Sequence, residues 1–127
     1  PQNWREATYY RYWMHMMHHD VPANFGIRTK DYKLIFYYGL PSDMSSMGKP
    51  TMPWLPESYP IEQTPAAWEF YDLSQDLEEL HNRYGDPAYQ EVIQQLKEQL
   101  QAKREALKET DEDYPHIQAV IDAHWDD

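Results

Sequence analysis

The run from Phe25 to Tyr38 constrains this chain more than any other stretch. Phe25 to Thr29 and Tyr32 to Tyr38 are dense in aromatic and β-branched residues, the types that pack well on a pleated surface. Lys30-Asp31 between them is a short polar turn, so the pattern predicts a β-hairpin. Alternation puts Tyr32, Leu34, Phe36 and Tyr38 on one face and Lys33, Ile35 and Tyr37 on the other, with the first set the expected core side. Gly26 predicts a bulge or a close backbone approach. A polar loop, His19 to Asn24, leads into the hairpin, and Asp20 and Pro22 restrict its backbone.

The rest of the chain is organised around that hairpin. Glu6 to Trp13 reads as a strand with Ala7, Tyr9, Arg11 and Trp13 on one face, and Met14 to His19 as a packed loop without a clean period. Residues 40–65 carry Pro41, Pro50, Pro53, Pro56, Pro60 and Pro65 and read as a long Pro-rich loop insertion. Its Met44, Met47, Met52, Trp54 and Leu55 are apolar enough to need a surface to lie on. Trp68 to Leu73 is a further strand, followed by an expected turn and short helix over 72–82 with Ser74 as N-cap. Asp86-Pro87 is a helix start, a capping side chain before a residue whose missing N–H costs nothing there. The helix is expected to run to about Lys108, with Tyr89, Val92, Ile93, Leu96, Leu100 and Leu107 inward and the Glu, Gln, Lys and Arg residues outward. Pro115 to Trp125 forms a last short helix that docks through Ile117, Val120, Ile121 and Trp125. The fold class expected is α+β: a small antiparallel β-sheet packed against a long C-terminal helix, with a long Pro-rich loop, in one domain over 1–127.

A chain of 127 residues can bury a real core. Its 11 Lys plus Arg against 22 Asp plus Glu give a net charge of −11, which argues against nucleic acid and against an anionic membrane as partners. The acids fall mostly after Glu57, which leaves the first forty residues locally neutral or basic. With no cysteine, disulfides, thiolate chemistry and cysteine-rich zinc sites are excluded within the chain. No run approaches the roughly 20 apolar residues of a membrane helix, and the first residues lack the features of a signal peptide.

His-x-Val-Pro-Ala-x-Phe-Gly-Ile-Arg-Thr-x-x-Tyr-Lys-Leu-Ile, from His19 to Ile35, resembles the C-terminal subdomain of type I sulfatases. Tyr9-Tyr10-Arg11-Tyr12-Trp13 before it, and Trp68-Glu69-Phe70-Tyr71-Asp72-Leu73 and Glu79-Leu80-His81-Asn82-Arg83-Tyr84-Gly85-Asp86-Pro87-Ala88-Tyr89 after it, follow in that family's order. The resemblance implies a chain that begins deep inside a longer protein, itself periplasmic or secreted. It also implies that the N-terminal catalytic domain is the partner and a sulfated carbohydrate the substrate. Formylglycine and calcium belong to that missing domain. None is expected here, because no Cys is present and no Ser begins a Cys/Ser-x-Pro/Ala-x-Arg motif.

Three residues are candidates for substrate binding. By the resemblance, His19 lies on a loop facing the catalytic cleft, where an imidazole donates to a hydroxyl or, protonated, attracts a sulfate. Asn24 stands where many relatives have a second histidine; it keeps a donor and an acceptor but loses titratable charge. Arg28 offers a planar fork to an anion, or partners a carboxylate. Arg11 and Lys33 read as solvated strand residues. His15, His18 and His19 have i, i+3, i+4 spacing, yet no acid or cysteine completes a ligand set, so ordinary loop histidines are the preferred reading and no metal or catalytic residue is assigned. The expected function is therefore a sulfatase C-terminal subdomain that packs on the catalytic domain, shapes the substrate cleft and is inert alone. The alternative is a stand-alone carbohydrate- or protein-binding module. A subdomain separated from its enzyme would expose the interdomain face and could dimerise through it, and a parent hydrolysing phosphonate or phosphate esters stays open.

Overall fold

Alternating aromatic and β-branched residues place the strands. A computed structural model of the protein describes residues 7–13, 15, 22–56, 58–107 and 114–127. Strands β1 (Thr8–Tyr12), β2 (Asn24–Arg28), β3 (Tyr32–Tyr37) and β4 (Ala67–Asp72) form one antiparallel sheet in the order β1-β2-β3-β4. The hairpin turn falls on Lys30-Asp31. The Thr29 N–H donates to the Tyr32 carbonyl at 2.9 Å, and the Thr29 Oγ1 accepts the Tyr32 N–H at 3.1 Å. Helix α1 (Gln90–Ala106) follows a single 3-10 turn at Pro87–Tyr89, where the Asp86 carboxylate accepts the Ala88 N–H at 2.9 Å. Helix α2 (Pro115–His124) ends the chain's regular structure. The α+β architecture matches the expectation, and among the described residues no helix is long and apolar enough to cross a membrane.

The chain divides into two compact units, residues 1–10, 25–36 and 68–110, and residues 11–24, 37–67 and 111–127. The first holds most of the sheet and α1. Phe25, Ile27, Leu34, Phe36 and Phe70 are fully buried, and Phe36 has its ring centroid 5.5 Å from that of Phe25 and 4.7 Å from that of Trp68. On the opposite face Ile35 is buried too, beyond what alternation predicts. There a Cβ on Gly26 would come 2.6 Å from the Leu34 backbone carbonyl and 2.5 Å from the Tyr10 hydroxyl, so glycine lets the backbone of β3 approach. The buried stripe of α1 is Ile93, Leu96, Lys97, Leu100 and Arg104. Lys97 and Arg104 are thus not on the outer face, and Leu107 is exposed. Each cation covers an aromatic ring, the Lys97 Nζ 4.4 Å from Trp68 and the Arg104 guanidinium 4.4 Å from Phe25, which lets a long side chain bury its stem on the core.

The expected short helix over 72–82 does not form. Asp72 accepts the Ser74 N–H and hydroxyl, and Asp76 accepts the Leu80 and His81 N–H groups, so aspartate side chains take the donors a helix would use internally. Glu79 adopts a φ of 58°, which ends any right-handed run. Asn82 then serves as strand-edge cover: its Oδ1 accepts the Phe70 N–H at 2.9 Å, and the Arg83 N–H donates to the Phe70 carbonyl at 2.7 Å.

The second unit contains α2, whose Ile117 and Ile121 are buried, and the Pro-rich stretch. That stretch is closed by its own backbone bonds. Gly48 N–H donates to Ile61 O at 2.7 Å, Ile61 N–H to Lys49 O at 2.7 Å, and Thr51 N–H to Tyr59 O at 2.9 Å, around a bridge pairing residues 50 and 60. The Ser58 hydroxyl donates to the Met52 and Leu55 carbonyls. Outside this frame Met44, Trp54, Leu55 and Tyr59 are exposed, with 77% of Trp54 open to solvent.

Candidate functional site

The segment leading into β2 is fixed at Ala23, a fully buried residue in the second unit. Its small side chain permits burial, and both of its backbone groups are used. The Ala23 carbonyl accepts the N–H groups of Tyr38 at 3.1 Å and Gly39 at 3.3 Å. Gly39 has a φ of 69°, and the Thr64 carbonyl and hydroxyl sit where a Cβ would be, which explains glycine there. Thr64 in turn donates its N–H to the Gly39 carbonyl at 3.1 Å.

On the other side, the Ala23 N–H donates to Nδ1 of His15 at 2.9 Å, and His15 Nε2 donates to the Glu62 carbonyl at 2.7 Å. A ring that accepts at Nδ1 and donates at Nε2 is neutral. Burial pushes the His15 imidazole below its ordinary value of 6.5, and the bond to the Glu62 carbonyl pulls back only in part. Three segments distant in sequence meet at this one ring.

Asn24, the first residue of β2, is buried, and its Nδ2 donates to the Pro22 carbonyl at 2.9 Å. Its amide donor is therefore set by the local backbone. Arg28, at the other end of β2 and in the first unit, is exposed. His19, like His18, lies outside the described residues.

Two cations read as solvated prove otherwise. Arg11 has its guanidinium 3.5 Å from the Trp13 ring and 4.9 Å from that of Tyr38, and its Nε donates to the Tyr38 hydroxyl at 3.4 Å. Trp13 continues the aromatic group to Tyr114, 5.5 Å between centroids, and His116 beyond it donates through Nε2 to the Pro41 carbonyl at 2.9 Å. Lys33 is ion-paired with Glu79 at 2.8 Å. Arg11 could have been found from the sequence, since Trp13 two residues on shares its face of a strand. Nothing local marks His15, whose partners are backbone groups at positions 23 and 62.

Among the described residues no group of three His, Asp or Glu side chains is placed to hold a metal ion, and the polar groups around Ala23 are joined to one another through backbone bonds.

Comparison with known proteins meets this geometry. A family model described as N-sulphoglucosamine sulphohydrolase, C-terminal, matches residues 1–47 and 60–106, so residues 48–59 fall between the matched stretches. An N-acetylglucosamine-6-O-sulfatase of Bacteroides thetaiotaomicron is 29% identical over 113 residues, 89% of this chain and 16% of that protein. A structure solved in complex with its substrate D-glucosamine-2-N,6-O-disulfate matches with a TM-score of 0.62 and 28% identity, covering 87% of this chain and 18% of the other. The chain thus spans less than a fifth of either relative's length. It belongs to the N-sulphoglucosamine sulphohydrolase C-terminal family and is the C-terminal subdomain of a sulfatase.

Proposed function

We propose that this subdomain packs against the catalytic domain of a sulfatase acting on sulfated sugars, and forms part of the wall of its substrate cleft through the His19 to Asn24 loop. The observation that carries this reading is the likeness, over 87% of the chain, to a structure that holds a glucosamine disulfate as substrate. The rigid seating of Ala23 and Asn24 supports it, because a residue that recognises a sugar hydroxyl or sulfate must be held in place before the ligand arrives. Arg28, in the other unit and open to solvent, carries by itself a guanidinium of the kind that pairs with an anionic ester.

By itself the subdomain is inert. Formylglycine and calcium would belong to the portion outside this chain and would supply the nucleophile and charge neutralisation there; this sequence has no Cys and no Ser that begins a Cys/Ser-x-Pro/Ala-x-Arg motif, and the part of its residues in this reading is to bind and orient. The exposed Trp54, Leu55 and Tyr59 accord with a piece that meets a larger neighbour. The test is reconstitution from two separate polypeptides, this chain and the preceding catalytic portion. The expected result is that they co-purify, that hydrolysis of a glucosamine sulfate requires both, and that this chain alone has no activity. A catalytic portion fully active on the sugar sulfate without this chain would refute the reading.

A further inference from the structure

We infer that His15 is a positioning residue: a neutral imidazole that clasps the segment entering β2, at Ala23, to the far end of the Pro-rich stretch at Glu62 and thereby sets where Ala23 and Asn24 sit. The inference rests on the proposed role of the His19 to Asn24 loop for its functional meaning, but its geometry stands apart from that role. The ring is 1% exposed, and both nitrogens are used, Nδ1 as acceptor for Ala23 N–H at 2.9 Å and Nε2 as donor to Glu62 O at 2.7 Å. Ala23 is also held through its carbonyl by Tyr38 and Gly39. With both sides of one residue engaged, the direction in which Asn24 leaves is determined, and the Asn24 amide is further fixed on Pro22.

A neutral imidazole meets the need of this site. The site asks for an acceptor and a donor about one imidazole width apart, inside a buried space that a hydroxyl is too short to bridge. The arrangement also carries a built-in limit. A proton added at Nδ1 would aim N–H at N–H across the bond to Ala23, so the clasp holds only while the ring is neutral. Among the described residues the groups bonded to the ring are the Ala23 amide and the Glu62 carbonyl, and the Glu62 side chain lies exposed. The sign follows. The unfolded chain takes up this proton near the ordinary value of 6.5, and the folded chain only at lower pH. The stabilisation is therefore complete above 6.5 and is lost as pH falls from there to the lowered value.

The experiment is residue-resolved amide hydrogen exchange on the 127-residue chain across this pH range, with His15→Gln and His15→Phe beside the wild type. Glutamine can accept and donate at once without titrating; phenylalanine fills space and does neither. After correction for intrinsic exchange, Ala23 in the wild type is expected to lose protection about tenfold as pH falls through the transition, the effect of one hydrogen bond. Phe25 and Ile27 should keep theirs. His15→Gln should protect Ala23 at all these pH values, and His15→Phe at none. Ala23 protection that is pH-independent in the wild type, or lost in His15→Gln at neutral pH while Phe25 and Ile27 stay protected, would overturn the inference. So would loss at Phe25 and Ile27 in step with Ala23, which reports unfolding. These readings involve no sulfate ester, so they separate failure of the clasp from failure of the proposed cleft role, which kcat/KM of the full-length enzyme would report.

Discussion

The two units of the chain bury their residues by different means. In the first, ring packs on ring: Tyr9 against Phe25, Phe25 against Phe36, Phe36 against Trp68, with Lys97 and Arg104 laid over the aromatic faces. In the second, beside buried Tyr38, Leu40, Ile61, Ile117 and Ile121, polar links to backbone groups join separate segments, His15 to Ala23 and Glu62, Ala23 to Gly39, Gly39 to Thr64, His116 to Pro41. Area-based burial tolerates polar changes and suffers from cavities; link-based order tolerates lost area and suffers from one changed backbone group. A stretch whose task is to place a loop is better served by the second kind.

The comparison breaks most visibly in the first unit. Phe36→Ala empties a fully buried site between Phe25 and Trp68 and should lower stability by about 3–5 kcal/mol, read from the midpoint of urea unfolding. In the second unit the addition of one methyl group should do comparable harm. Gly39→Ala meets Thr64 and a φ of 69°, at an expected cost of about 2 kcal/mol or more, with loss of exchange protection at Thr64. A smaller effect sharpens the contrast, because the first unit has polar links of its own, Asp72 among them. Asp72 accepts Ser74 N–H at 3.1 Å and Tyr89 O–H at 2.7 Å. Burial raises the Asp72 carboxyl, but the bonds from Ser74 and Tyr89 outweigh it and hold it below its ordinary value of 3.8. Its contribution is therefore present above 3.8 and lost as pH falls through the lowered value. Asp72→Asn should cost about 1 kcal/mol near neutrality, and the gap from the wild type should close in acid.

The same division separates what could be read from the sequence from what could not. Strands β2 and β3, their turn at Lys30-Asp31 and the Asp86-Pro87 helix start are local signals, a period or a cap, and each stands where its pattern puts it. Residue type alone leaves Lys97 and Arg104 out of the buried stripe of α1. Their spacing from Ile93 and Leu100 put them inward all the same, because long cations bury their stems when a ring receives the head. Over 72–82 helical composition lost to aspartates that bonded nearby N–H groups. At the site, Asn24 and Arg28 could be picked out within a motif, whereas the role of His15 depends on partners 8 and 47 residues away and leaves no local trace.

The most direct test of the cleft role uses the full-length sulfatase and two substrates, a glucosamine sulfate and a simple aryl sulfate lacking the sugar. His19→Ala and Asn24→Ala should each lower kcat/KM for the sugar sulfate by about tenfold or more while leaving the aryl sulfate nearly unchanged, since only the sugar makes the lost contact. Equal losses on both substrates, or no loss on either, would contradict the placing of this loop in the substrate cleft.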